Sequence, residues 1–86
     1  MEQPYGYKKL FQEIKLASNN FKDETIYIWV SFEQERDIIV NKILNKHYKS
    51  IGSYTTDSDY GGISYRICAS NVDNVEDYPI IQKGLN

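Results

Sequence analysis

The chain has 86 residues, 41% hydrophobic and 26% charged, with a formal net charge of −2. That is one small folding unit, able to bury roughly 60–65% of the surface of its unfolded chain, and its composition excludes a disordered polymer. No apolar run approaches the ~20 residues of a membrane-spanning helix. The opening MEQPYGYKKL has no apolar signal core, and the single Cys68 can form no internal disulfide. A cytoplasmic protein without membrane contact is therefore expected.

The charge is uneven. Residues 1–50 carry eight Lys/Arg against seven Asp/Glu, whereas residues 51–86 carry two against five. No basic face dominates, so a strong sequence-independent grip on a phosphate backbone is not expected.

Along residues 4–19, Tyr7, Leu10, Phe11, Ile14 and Ala17, continued by Phe21, recur at helical spacing, with Lys8, Lys9, Gln12, Glu13 and Lys15 opposite. The spacing predicts an amphipathic helix, stopped by Asn19 and Asn20, which tolerate left-handed backbone. Residues 24–32, ETIYIWVSF, are crowded with branched and aromatic side chains and read as a strand, with Ile26, Ile28 and Val30 on one face and Tyr27 and Trp29 on the other.

A second helix follows. Ser31 with Gln34 three residues on fits a capping box. Early Glu33, Glu35 and Asp37 and late Lys42, Lys46, His47 and Lys49 suit the two ends of the helix dipole. Phe32, Ile39, Val40, Ile43, Leu44 and His47 make the expected inward stripe.

Residues 54–67, YTTDSDYGGISYRI, raise the question of a binding loop against a turn. The β-rich stretches on either side of DSDYG, and glycines that accept positive φ, predict a β-hairpin. After it, Tyr78-Pro79-Ile80-Ile81 can dock on the sheet or add a short edge strand, with the domain ending at 82 and residues 83–86 frayed.

Assembled, the elements predict the α+β class: a two-layer sandwich of order α-β-α-β-β. Its small, mostly antiparallel three-stranded sheet has the hairpin's second strand in the middle, and both helices lie on one face. The other face then presents Tyr27, Trp29, Arg66 and Cys68, with Tyr54 a further candidate. Trp, Tyr and Arg are favoured anchors of protein interfaces, and the hairpin tip adds Asp57, Asp59 and Tyr60, an acidic group suited to a basic partner groove. The alternatives are that the C-terminal segment covers this face, that a homodimer does, or that single-stranded nucleic acid stacks on it.

Catalytic and metal chemistry find little support. His47 and Cys68 fall on different elements, and one His with one Cys makes no zinc site without acids. DSDYGG has a calcium loop's early oxygens, but Cys68 stands where a bidentate Glu is wanted. No cofactor and no metal are expected.

The leading expectation is a non-enzymatic binding protein acting on a protein partner through Tyr27, Trp29, Arg66, Asp57, Asp59 and Tyr60. Its size and acidity are compatible with small accessory or inhibitor proteins of phages or plasmids. The alternative expectation is a winged-helix-like DNA-binding domain using Lys42, Lys46, His47 and Lys49, with the hairpin as wing. The undivided second helix and the acidic tip speak against it.

Overall fold

A computed structural model of the chain describes residues 7–72 and 77–84. Helix α1 spans Tyr7–Ala17 and strand β1 spans Thr25–Val30. Helix α2, Glu33–Ile38, runs on without a break into a π-helical turn, Ile39–Ile43, and a 3-10 turn, Leu44–Lys46. Strands β2 (Ser50–Asp57), β3 (Ile63–Ser70) and β4 (Ile80–Lys83) follow. The α+β expectation stands, but the sheet has four strands, in the order β1-β3-β2-β4, where three were expected. All three pairings are antiparallel.

The additional strand is the Ile80–Lys83 segment, which pairs along β2 across an irregularity at Ile51/Gly52. It is anchored at both ends, by Ser53 N–H donating to Pro79 O at 3.0 Å and by Gly84 N–H donating to Lys49 O at 3.1 Å. Pairing therefore continues beyond residue 82, where fraying was expected; residues 85–86 lie outside the described residues, as do residues 4–6 of the expected first helix.

The hairpin forms as the sequence predicts, from Thr55↔Tyr65 out to Asp57↔Ile63. Gly61 and Gly62 both take φ 87° at its tip, a value that costs glycine little and an L side chain a good deal. Ser58 N–H donates to Gly62 O, and Gly61 N–H to Ser58 O, each at 3.1 Å.

The core lies between the helices and the Ile26/Ile67/Ile51 face of the sheet. Leu10 and Ile14 of α1 meet Ile39, Val40, Ile43, Leu44 and Tyr48 there. The π turn inserts one extra residue, with Leu44 N–H reaching both Ile39 O and Val40 O. The insertion keeps two adjacent pairs, Ile39/Val40 and Ile43/Leu44, and then Tyr48, on the buried side.

Three sequence expectations about the helices change. The residue preceding α2 is Phe32 in extended backbone, with no side-chain cap hydrogen bond, so the cap is not at Ser31. Arg36 lies over the Tyr65 ring at 5.2 Å and pairs with Asp37 at 3.0 Å, seating the first turns of α2 on β3. Phe32 is accordingly exposed rather than part of the inward stripe. In α1, Ala17 is exposed and Ser18 is buried in its place. The Ser18 hydroxyl accepts from Phe21 N–H at 2.9 Å, holding the turn after the helix.

That turn carries three successive positive φ values, at Asn19 (53°), Asn20 (61°) and Phe21 (63°). The Asn pair is the expected stop. Phe21 is an uncommon occupant of left-handed backbone, and its ring packs in compensation: it stacks on His47 at 3.8 Å between centroids, 2° from parallel, and meets Phe11 at 5.7 Å.

Burial, and after it the neighbouring Lys46, holds the His47 imidazole below its ordinary pKa of 6.5. The unfolded chain therefore protonates before the folded one as pH falls. The stability contributed by neutral His47 is whole above about pH 6.5 and drains as pH drops through that value toward the folded pKa. Denaturant titrations at about pH 7 and pH 5 should show wild-type protein losing more stability than His47→Phe, which keeps a stacked ring and cannot titrate. Equal losses would show that His47 carries no such linkage.

Candidate functional site

The sheet face turned away from the helices is built by register. Tyr27, Cys68 and Gly52 lie opposite one another across β1, β3 and β2, and Trp29, Arg66 and Tyr54 form the next row. In each strand these residues alternate with the core set Ile28, Ile67 and Ser53.

One end of this face is covered. Tyr78 approaches from the segment before β4, and its ring meets Tyr54 edge-on at 5.0 Å and Tyr27 at 5.7 Å. Gly52 makes this possible: a Cβ built there would stand 2.7 Å from both the Cβ and the carbonyl oxygen of Tyr78. Beneath the tyrosines Cys68 is buried. Burial pushes its thiol pKa up, and a polar contact with Tyr27 offsets this in part, so the thiol is protonated and shielded rather than poised for attack. Burial, and next the adjacent Tyr54, likewise raises the Tyr78 phenol.

The other end is open. Trp29 is 59% exposed there, and even Tyr27, which Tyr78 touches, keeps 63% of its surface exposed. The Arg66 guanidinium lies over the Trp29 ring at 5.5 Å, a cation–π contact between neighbouring strands. Arg66 Nε is buried and finds no hydrogen-bond partner among the described residues. Trp29 and Arg66 run into the hairpin tip, where with Asp57, Ser58, Asp59, Tyr60 and Ser64 they line a cleft of about 150 Å³. Neither aspartate forms an ion pair with Arg66 among the described residues. Tyr60, at the apex, is 98% exposed.

Of the residues singled out from sequence, Trp29, Arg66, Asp57, Asp59 and Tyr60 thus border one cleft, and Tyr27 lies one row away. Lys42, Lys46 and Lys49 are exposed elsewhere, near the end of the second helical segment. His47 is turned away from solvent by its stack on Phe21. Sequence reasoning anticipated that the Tyr78 segment can lie on this face, but it missed Gly52, which makes the approach possible. The available signal was a glycine inside a strand, which often marks another chain segment passing close by.

Among the described residues no cluster of three or more His, Cys, Asp or Glu is placed to hold a metal ion, and no helix is long and apolar enough to cross a membrane. Comparison with protein-family models, with curated proteins and with solved structures found no match to this chain.

Two variants test the seat of Tyr78. Gly52→Val should force the segment off the sheet and cost about 1–3 kcal/mol in denaturant unfolding. Tyr78→Ala should leave the fold intact and speed thiol labelling of Cys68 by about tenfold or more, since only local opening now limits access. Slow labelling in Tyr78→Ala would mean that something else shields the thiol.

Proposed function

We propose that this is a small, non-enzymatic binding protein that engages a protein partner through the open half of the sheet face and the hairpin tip. The observation that carries the proposal is the aromatic face beside the cleft. Trp29, Tyr27 and Tyr54 remain exposed, the two tyrosines even though Tyr78 packs against them from one side. Exposed Trp and Tyr with an Arg stacked between strands are the side chains that dominate interface energetics, and a sheet presents them already ordered, which lowers the entropy cost of docking.

The chemistry of the rim narrows the partner. Asp57 and Asp59 place negative charge at the cleft beside a single cation, Arg66, and the chain carries a net charge of −2. Such a surface repels phosphate and suits a basic protein patch. A role as accessory or inhibitor protein follows the same logic, because an acidic, aromatic tip can occupy a basic groove that otherwise holds nucleic acid.

The test is capture of a partner by immobilised wild-type protein, run beside Trp29→Ala and the double variant Asp57→Lys/Asp59→Lys. The expected result is a species retained by wild type and lost with both variants, with binding weakened by about tenfold or more at Trp29. Labelled single-stranded and duplex DNA, followed by anisotropy at about 50 and 200 mM salt, supplies the opposing arm. Salt-sensitive DNA binding that Lys46→Glu/Lys49→Glu abolishes would replace this reading with the DNA-binding one.

A further inference from the structure

The two edges of the sheet are treated differently. At one, β4 is four residues long, is preceded by Pro79, ends on Lys83 and pairs through an irregularity, all devices that blunt a sheet edge. At the other, β1 is TIYIWV, six residues without proline, glycine, charge or bulge.

The direction of its backbone groups follows from the ladder. Asn71 N–H donates to Glu24 O at 2.9 Å, so that pair is hydrogen-bonded, and in the same register Ile26, Ile28 and Val30 bond to β3. The alternate residues Thr25, Tyr27 and Trp29 then direct their N–H and C=O groups outward. No described strand takes them up.

Beside this edge runs a groove of about 430 Å³ between β1 and α1. Leu10, Ile14, Ile28 and Ile39 give it apolar walls; among the described residues Glu13 and Glu35 are its only charged lining residues, and no Lys, Arg or His lines it. We propose that the open edge of β1 is a strand-addition site for an extended segment of a partner protein in which Lys or Arg alternates with branched apolar residues. The inference rests on the protein-binding reading above and assigns it a second surface and a partner chemistry.

The alternation is dictated by geometry. In an antiparallel addition, residues bonded to Thr25, Tyr27 and Trp29 place their side chains on the aromatic face, where branched apolar residues pair well with rings. The residues between them project on the helix side. There a long basic side chain lays its stem along Leu10 and Ile14 and brings its head to Glu13 or Glu35. A second copy of this chain fits less well, because pairing two β1 edges brings a second Glu13 and Glu35 to the same seam and supplies no cation.

The test uses ¹⁵N-labelled protein and capped hexapeptides. Lys-Val-Arg-Val-Lys-Val should bind, shifting the amide signals of Thr25, Tyr27 and Trp29 and slowing their hydrogen exchange. Glu-Val-Glu-Val-Glu-Val should not. N-methylation of the valines, whose N–H groups face β1, should abolish binding, whereas N-methylation of the basic residues should change it by less than about twofold. Glu13→Lys/Glu35→Lys should weaken the basic peptide by about tenfold or more.

The proposal is overturned by no binding of the basic peptide at about 1 mM, by equal binding of the acidic peptide, or by indifference to the valine methyl groups. It is also overturned if those three amides are already protected in a dimer of the protein alone. Peptide binding that fails while Trp29→Ala still abolishes partner capture removes the edge site only. The converse removes the face reading only.

Discussion

Gly52 has no side chain, and Tyr78 lies where one would be. That one close approach settles how the outer face of the sheet is divided, because β4 can lie along β2 only if the chain before it crosses over Gly52. With Tyr78 seated, Cys68 is closed from solvent, and the rings of Tyr27 and Tyr54 are braced from one side. What remains open is the Trp29–Arg66 end and the tip beyond it. The missing Cβ at one strand position thus decides which aromatic rings Tyr78 braces, those of Tyr27 and Tyr54, and which it does not, that of Trp29.

A comparable economy operates under the sheet. The second helical segment changes its winding from α to π to 3-10 within fourteen residues, Glu33 to Lys46. The change keeps apolar pairs facing the sheet while the chain is brought round to β2. Phe21, in left-handed backbone, holds the other side of this junction by stacking on His47. The backbone strain at Phe21 and the lowered pKa at His47 are two aspects of one packed contact between the turn after α1 and the end of the second helical segment.

Much of this was legible in the sequence, and the remainder was not for identifiable reasons. Helix α1, strand β1 and the hairpin announce themselves by local periodicity and turn chemistry, signals contained within each segment. The four residues of β4 are too few for alternation to register, and their pairing depends on β2, about thirty positions earlier. The start of α2 was misplaced because Ser31 satisfies a local capping rule, whereas the helix starts after Phe32 without a side-chain cap and its first turns rest on Tyr65 through Arg36, a contact between distant segments. The candidate cleft was legible as a set of residue types, Trp, Arg, Asp and Tyr. The shared face of Trp29 and Arg66 was legible too, whereas the β1–β3 register that sets Trp29 directly opposite Arg66, and the hairpin geometry that brings Asp57 and Asp59 to the same cleft, were not.

The placement of the single tryptophan has a consequence for how this protein can be observed. Trp29 lies on the surface under a guanidinium, whereas the most deeply buried aromatic residue, Tyr48, belongs to the core. The intrinsic emission of the folded protein therefore comes from a fluorophore that already meets water. Global unfolding will move its colour little, and an unfolding curve recorded by that signal will follow the loosening of one sheet edge. The same placement makes the molecule its own optical reporter for contact at the exposed face: a shift of Trp29 emission to shorter wavelength signals that something has covered the ring, without any label being attached.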